Sequence, residues 1–517
     1  MDASFRTEMA EGYALAEPAL ILGSPMLEGD VASDVRVQLA VSILNRHGLV
    51  AGATGTGKTK TLQIMAGQLS DLGVPVLLGD VKGDLTGLAM PGDATDPKVR
   101  ERCASLDREM QAKGHPVELL SISGALGAQV RATVHSFGPL LLSKVMDLNE
   151  TQTSVLALVF KYCDDEQLPL LDLDDLRTTL LFLSSDAGKP VLEAYGGISK
   201  ATVGVLMRSI VTLEQEGAAG LFGEPEFDVA DLLRTTPEGL GVISALELSD
   251  VMDRPRLFST FMLWMLAQLY EELPEVGDLP KPKLAFFFDE AHLLFHDASD
   301  ALMEQIELTA RLIRSKGVGV YFVTHSPTDV PKSVLSQLGN RVQHALRAFT
   351  PDDEEALRKT VRTFPKTEHY ELEETLTSLG IGEAVISGLS PKGVPTPVAA
   401  TRLVPPDSLM AAVDEPTRTA LIAGGSLRAK YAETVDRQSA HEMITARLEK
   451  AKASQGANAE RGTGKAARTR SKDARGGEDG VGEDVKEAVI GFGKDLLTTA
   501  DGRRTLRSVF DVFFGKK

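Results

Sequence analysis

A glycine-rich segment constrains the fold of this chain more than any other feature of the sequence. Residues 52–59 read GATGTGKT and follow the apolar run Leu49-Val50-Ala51. Glycines let the backbone curl with its N–H groups pointing inward, which creates a concave site for phosphate oxygens. The apolar run before the segment and the helical spacing of apolar residues after it predict a strand, a phosphate-binding loop and a helix that begins near Lys58.

The residue types in this loop also predict what binds to it. We expect Lys58 to reach the β- and γ-phosphates of a nucleoside triphosphate, and the Thr59 hydroxyl to ligate Mg²⁺. The positive end of the following helix points at the same anion. The alternative is a glycine-rich turn that ends in Lys and Thr by chance, which the flanking strand and helix patterns argue against. The predicted nucleotide-binding residues are Gly52, Ala53, Thr54, Gly55, Thr56, Gly57, Lys58 and Thr59.

An acidic pair follows a second apolar run. Residues 284–288 read LAFFF, which predicts a buried strand, and Asp289 and Glu290 come directly after it. We expect Asp289 to hold the Mg²⁺ ion beside the loop, because the carboxyl ends of parallel strands meet at the ligand crevice. Glu290 can orient and polarise the water that attacks the γ-phosphate. The pair therefore favours ATP hydrolysis by a motor-type protein over the alternative, an ordinary buried strand followed by an acidic helix start.

Four further residues are candidates for contact with the γ-phosphate. His325 follows a strand predicted over 318–323, where a polar side chain can detect that phosphate; a structural loop histidine is an equally good interpretation. Arg311 and Arg314 precede that strand on a predicted helix, and Arg347 follows a later strand. Any of these arginines could reach the nucleotide of a neighbouring subunit and stabilise charge in the transition state. A solvent-exposed helix face is the alternative for the first two.

Local patterns place several other elements. A buried strand ends at Asp80, close to the expected nucleotide, so this acid could tune the site or pair with Lys82. A β-like run covers residues 35–43, and another covers residues 240–245 inside a mainly helical region. Acids at residues 172 and 228 are typical of helix starts.

Composition limits the class of protein. The chain has 517 residues, too many for one compact core, and its two cysteines suit buried thiols in a reducing cytosol. The N-terminus lacks the pattern of a secretion signal, and the apolar run at 257–270 is too short to span a bilayer, so we expect a cytoplasmic protein. The net charge of −18 argues against extended nucleic-acid binding on the surface, although a narrow basic channel is compatible with it.

The order of these patterns predicts an α/β fold with a mainly parallel sheet, an inserted helical domain and a helical C-terminal tail. The C-terminal helices could pack on the body of the protein or bind a partner or membrane surface. The predicted segments are 1–138 (first part of the ATPase core), 139–275 (mainly helical insertion), 276–404 (second part of the core), 405–450 (helical extension), 451–484 (disordered linker) and 485–517 (amphipathic helical tail).

Four segments together resemble HerA-like ATPases. They are the loop at 52–59, GDVKGD at 79–84, FFDEAH at 287–292 and VTHSPTDVPKSVLSQ at 323–337. The resemblance covers about residues 15–405 and is closest to a bacterial branch often called helicase HerA-like. It implies a RecA-like P-loop fold, ATP and Mg²⁺ as cofactors, a hexameric ring related to the FtsK translocases, and ATP-driven movement along double-stranded DNA. It also implies a nuclease partner, NurA, in the processing of DNA ends.

Two functional hypotheses follow. The first is a ring-forming motor that hydrolyses ATP with Mg²⁺ and translocates on double-stranded DNA. The second is an ATP-gated assembly scaffold, which would act on protein partners or a membrane surface through its helical insertion and C-terminal helices without moving DNA.

Overall fold

The computed structural model describes residues 2–188, 199–215, 217–277, 279–296, 300–435 and 437–450. The predicted linker at 451–484 and tail at 485–517 lie outside these ranges. The chain divides into two compact units. The first comprises Met1–Asp147 and Leu213–Asp436, and the second comprises Leu148–Thr212 and the residues from Arg437 onward. The predicted segment boundaries at 138, 275 and 404 stay predictions.

A single large sheet forms the centre of the first unit. Within the described residues its strands run in the order β2-β1-β13-β12-β11-β4-β10-β9-β5-β8-β6-β7, with β3 paired to β1. The pairs from β11 to β7 are parallel, and the remaining pairs are antiparallel. The strands are β1 (Ala19–Leu27), β2 (Asp30–Val31), β3 (Val37–Ala40), β4 (Gly48–Ala51), β5 (Val76–Asp80), β6 (Val117–Ser121), β7 (Ala128–Gln129), β8 (Ile243–Glu247), β9 (Leu284–Phe288), β10 (Val318–Thr324), β11 (Asn340–His344), β12 (Glu383–Ser387) and β13 (Ala399–Leu403). The predicted α/β class with a mainly parallel sheet is confirmed.

Helices connect most of the parallel strands, as a parallel sheet requires. They are α1 (Ala3–Gly12), α2 (Lys58–Asp71), α3 (Pro97–Ser105), α4 (Val134–Val145), α5 (Glu150–Asp165), α6 (Leu173–Ser184), α7 (Lys200–Gln215), α8 (Pro255–Glu272), α9 (His292–Phe295), α10 (Asp300–Leu312), α11 (Lys332–Leu335), α12 (Pro351–Val361), α13 (Leu372–Ser378), α14 (Glu415–Gly424), α15 (Ser426–Tyr431) and α16 (440–450). Among the helices described, none is long and apolar enough to cross a membrane.

The central parallel strands are buried along their whole length, which explains their continuous apolar runs. Every residue of β4, β5, β8, β9 and β10 is buried. Aromatic rings reinforce the pairing of β9 with β10: Phe287 stacks on Tyr321 with ring centroids 4.9 Å apart, and Phe288 stacks on Phe322 at 5.5 Å. Aromatic pairs at such separations add stabilisation beyond burial alone. The strand that carries the acidic pair is therefore held rigidly in the middle of the sheet.

The second unit is helical where it is described. A capping box of Asn149 and Gln152 starts α5, and one of Asp172 and Asp175 starts α6, as the acid pattern at 172 predicts. The Asp175 carboxylate also accepts a hydrogen bond of 2.8 Å from the backbone N–H of His441, which fixes α16 to α6.

Three local predictions were wrong in part. The run at 35–43 is not one strand, because β3 ends at Ala40 and a 3-10 turn follows over Val41–Arg46. The acid at 228 starts only a short 3-10 turn, Val229–Leu233. The strand expected at 240–245 lies at Ile243–Glu247 instead, and it belongs to the central sheet between β5 and β6. Strand pairing depends on contacts distant in sequence, so local periodicity could not reveal this position.

Candidate active site

The glycine-rich loop connects β4 to α2, as predicted, and it lies at the carboxyl ends of the central strands. Hydrogen bonds anchor it to both neighbours of β4. The N–H of Gly52 donates to Thr324 O on β10 at 3.2 Å, and the N–H of Ala53 donates to Ala345 O just after β11 at 2.9 Å. Gly57 caps α2 with a φ of 115°, a left-handed conformation that favours glycine. The structure therefore has the strand, loop and helix that the sequence predicts, and phosphate binding by the loop stays a prediction.

Lys58 bends back over this loop. Its ammonium donates hydrogen bonds to Gly52 O at 2.6 Å and to Ala53 O at 3.3 Å. Burial lowers the pKa of Lys58, and the charges of Glu290 and Asp289 oppose that effect. The predicted lysine and the predicted acidic pair lie at the same carboxyl edge of the sheet.

The three threonines of the loop differ in how exposed they are and in whether their hydroxyl can bind a cation. Thr54 is exposed, and Thr59 is half-buried at the start of α2. Thr56 is buried, its hydroxyl donates to Ala53 O at 2.7 Å, and its carbonyl accepts from the N–H of Gly382 at 3.1 Å. Thr56 therefore shapes the loop, whereas Thr59 keeps a hydroxyl oxygen that can ligate a hard cation.

A buried histidine beneath the loop was missed by the sequence analysis. His344 ends β11, and its Nε2 lies 2.9 Å from the Thr61 hydroxyl on α2. Burial, together with the charge of Lys58, lowers the pKa of His344 to about 4, so the imidazole is neutral near pH 7. The available signal was its position as a polar residue at the end of a strand. Only the pairing of β11 with β4 reveals that this strand end lies under the loop.

The acidic pair lies at the end of β9, two strands from β4. Burial, with the nearby charge of Glu290, raises the pKa of Asp289 to about 7. The backbone N–H of Glu290 donates to the Asp289 carboxylate at 3.0 Å. Glu290 itself has a φ of 50°, a left-handed conformation that residues other than glycine seldom adopt.

Two histidines flank the Glu290 carboxylate. Its Oε2 lies 3.3 Å from Nε2 of His325 and 3.5 Å from Nδ1 of His292. The two imidazole rings have centroids 5.5 Å apart. The structure thus places the predicted sensor beside the predicted water-activating residue. His292, the first residue of α9, was missed as a site residue; its position two residues after Glu290 was the signal.

A family model described as "Helicase HerA-like C-terminal" matches residues 26–516. The chain belongs to this HerA-like family. Membership of this family, together with the strand, loop and helix at residues 48–71, supports an ATPase.

Curated relatives of the HerA-like chain carry the name "DNA double-strand break repair helicase HerA". The protein from Sulfolobus acidocaldarius is 22% identical over 360 residues, which cover 69% of this chain and 65% of that protein. The protein from Sulfurisphaera tokodaii is 23% identical over 371 residues, with the same two coverages. The HerA-like chain thus matches slightly under two thirds of the length of these relatives.

A solved structure supports the fold. The bacterial conjugative coupling protein TrwBdeltaN70 superposes with a TM-score of 0.50 and 13% sequence identity, over 78% of the HerA-like chain and 94% of that protein. At this identity the similarity shows the fold alone.

The candidate arginines of the HerA-like chain lie at two different edges of its sheet. Arg347 is exposed and comes two residues after Ala345, whose carbonyl holds the loop, so it lies at the nucleotide edge. Arg311 lies in the last turn of α10, and Arg314 lies in the turn that precedes β10, at the amino ends of the strands. Burial and, to a lesser extent, the charge of Arg314 lower the pKa of His47, which precedes β4, to about 4. Arg311 and Arg314 therefore lie at the edge of the sheet opposite the loop.

Two further buried acids, Asp80 and Glu247, lie at the carboxyl ends of neighbouring strands of the sheet. Asp80 ends β5 and pairs in register with Glu247, the last residue of β8. Asp80 accepts hydrogen bonds from the backbone N–H groups of Gly83, Asp84 and Leu85 at 2.7, 3.2 and 2.7 Å. Its role is thus to hold the turn after β5, and among the described residues it forms no ion pair with Lys82.

Glu247 is fully buried, and neither of its carboxylate oxygens has an N–H or O–H donor among the described residues. Burial raises the pKa of Glu247 to about 8, with the charge of Asp80 acting in the same direction. Burial likewise raises the pKa of Asp80 to about 6. Glu247 was not among the predicted site residues, because the strand was predicted to end at residue 245, two residues before this acid.

Proposed function

We propose that the chain binds ATP on residues 52–59 and hydrolyses it with Glu290 as the general base. The observation that carries this proposal is that Lys58 follows β4, and Asp289 and Glu290 follow β9, at the same carboxyl edge of the parallel sheet, with only β10 between the two strands. Lys58 would neutralise phosphate charge, and Glu290 would take a proton from the attacking water. General-base catalysis of this kind contributes about 10²–10⁴-fold to a rate.

The residues present suit Mg²⁺. Thr59 offers a half-buried hydroxyl and Asp289 a carboxylate, and both are the oxygen donors that this hard cation prefers. We propose that these two residues hold the ion. An ion held by Thr59 and Asp289 would supply positive charge that offsets the negative charge developing on the phosphate. The backbone hydrogen bond from Glu290 to Asp289 orients the carboxylate for that task.

We further propose that the motor forms a homo-oligomeric ring, a hexamer in the family pattern, which translocates on double-stranded DNA. The names of the relatives support DNA as the substrate. The position of Arg311 and Arg314 away from their own loop supports a role in a neighbouring subunit. A nuclease partner and a cytoplasmic location remain part of this proposal.

The rival hypothesis is an ATP-gated scaffold that acts on protein partners or a membrane surface, and the net charge of −18 keeps it open because that charge argues against extended nucleic-acid binding. Steady-state ATP turnover and particle mass, measured with and without linear duplex DNA, separate the two. We expect duplex DNA to raise the turnover and to stabilise the ring. Turnover and mass that are unaffected by DNA at low salt would exclude translocation and leave the scaffold.

A further inference from the structure

We propose that Glu290, His292 and His325 form a binding site for a first-row transition ion of the Zn²⁺ class, and that an ion bound there stops ATP hydrolysis. The inhibitory half of this proposal rests on the function proposed above, because it requires Glu290 to be the base. The binding half rests only on the geometry of three side chains.

The separations between the three side chains suit a tetrahedral ion. Glu290 Oε2 lies 3.3 Å from one imidazole nitrogen and 3.5 Å from the other, and the three ligand atoms all lie within 4.8 Å of one another. Bonds of about 2.0–2.1 Å at a tetrahedral centre place ligand atoms about 3.3–3.4 Å apart.

Two of the ligand atoms lack a hydrogen bond. Oε2 of Glu290 and Nδ1 of His292 are buried, and neither has a hydrogen-bond partner among the described residues. Buried polar atoms that lack a hydrogen bond are a cost to the folded state. A bound ion would satisfy both atoms at once, since a carboxylate oxygen and neutral imidazole nitrogens are standard zinc ligands.

The site is open on one side. The side chains of Glu290, His292 and His325 are 17%, 34% and 45% exposed. An ion can therefore enter from solvent past His325, and a water can complete its coordination. Three protein ligands with one open position are typical of exchangeable zinc sites.

The backbone holds the three ligands in place from separate elements. The N–H of Ala291 donates to Val323 O at 2.9 Å, which ties the turn after β9 to β10. The Asp329 carboxylate accepts from the Thr324 hydroxyl and from the N–H of Ser326, each at 2.8 Å, and so fixes the backbone on both sides of His325. A site preorganised in this way loses little entropy on binding an ion.

The donor types separate this site from the Mg²⁺ site. Mg²⁺ prefers oxygen donors and near-octahedral geometry, whereas imidazole suits Zn²⁺ and neighbouring transition ions. We therefore expect Mg²⁺ on Asp289 and Thr59, and Zn²⁺ on the three-residue cluster. A Zn²⁺ ion on Oε2 would occupy the electron pair with which Glu290 must accept a proton, so nucleotide binding would persist while hydrolysis stops.

Titration of the full-length protein with Co²⁺, in excess Mg²⁺, tests the binding half. We expect one equivalent of Co²⁺ to give the strong visible absorption of four-coordinate cobalt, and Zn²⁺ to abolish it. His292→Gln and His325→Gln should each weaken binding by at least about tenfold, because even the loss of an outer-shell partner costs 10–100-fold. His369→Gln is the matched control, since His369 pairs with Glu8 at 2.8 Å outside the cluster. Asp289→Asn should retain the spectrum.

Two outcomes would overturn the binding half: six-coordinate Co²⁺ in the wild type, or binding that is equal in all three histidine variants. The inhibitory half is tested by the ratio of ATP turnover without and with Zn²⁺. We expect Zn²⁺ to lower the ATP turnover of the wild type about 100-fold, which is the size of the effect of losing a general base. We expect Zn²⁺ to change the turnover of His292→Gln little. A protein that binds Co²⁺ as described but never hydrolyses ATP would refute the proposed function and leave the metal site standing.

Discussion

His344 lies directly against Gly52, so that a Cβ atom built on this glycine would be 2.5 Å from the Cβ of His344. The first glycine of the loop is thus required by a side chain from β11 as well as by the phosphate-binding curl. Since β11 pairs with β4, neither Gly52 nor His344 can move away from the other without disturbing the sheet.

We expect Gly52→Ala to abolish ATP binding and to destabilise the protein by about 1–3 kcal/mol, the usual cost of overpacking. Nucleotide binding by fluorescence and unfolding by denaturant measure the two effects. Gly424→Ala is the control, because no atom lies within 4 Å of a Cβ built there. A variant at Gly52 that binds ATP normally would show that the loop is not held by His344.

Lys58→Ala should lose ATP affinity by at least about tenfold while the protein stays folded, since burial of its ammonium is a cost to the folded state. Isothermal titration with ATP and a thermal melt of the same sample check this. Lys60→Ala serves as the control, because Lys60 donates to Met410 O at 2.5 Å instead of turning to the loop. Equal losses of affinity in both variants would contradict the assigned role of Lys58.

The buried pair Asp80 and Glu247 predicts a pH dependence of stability. Folding raises the pKa of Glu247 from 4.5 to about 8, so the folded state favours the protonated carboxyl. The contribution of the protonated Glu247 carboxyl to the free energy of unfolding is fully present below pH 4.5. It is lost as the pH rises toward 8, because Glu247 of the unfolded chain releases its proton first. Asp80, raised from 3.8 to about 6, acts in the same direction over a lower range.

We therefore expect the unfolding free energy of Glu247→Gln to decrease less between pH 5 and pH 8 than that of the wild type. At pH 8 the variant should be more stable than the wild type by more than about 1 kcal/mol, since a tenfold change in an ionisation constant is worth about 1.4 kcal/mol. Urea unfolding at the two pH values gives the measurement, with exposed Glu373→Gln as the control. A slope identical to that of the wild type would mean that Glu247 is ionised in the folded protein.

The turn that follows β10 gives a prediction about positioning. Asp329→Asn should lower ATP turnover severalfold and leave ATP affinity unchanged, because Asp329 holds the backbone around His325 and does not belong to the loop. Loss of a hydrogen bond to a charged group costs about 1.5–3 kcal/mol, which is enough to loosen the turn. Steady-state kinetics separate the two effects, and Asp352→Asn on the exposed start of α12 is the control. A loss of affinity without a change in turnover would be inconsistent with this role.

Local sequence patterns predicted much of the site. The loop at 52–59 and the strand ending at Asp289 are each encoded by adjacent residues, and the structure has both at the expected positions. His344, His292 and Glu247 were missed because their importance depends on which strands are neighbours. That order follows from pairings between residues up to hundreds of positions apart, which periodicity does not encode.

The most direct test of the proposed chemistry is Glu290→Gln, measured for ATP binding and for steady-state hydrolysis with Mg²⁺ in one preparation. Glutamine keeps the size of the side chain and cannot accept the proton of the attacking water. We expect retained ATP binding with turnover lowered by about 10²–10⁴-fold. Turnover close to that of the wild type would remove Glu290 from the mechanism and contradict the assignment of this site.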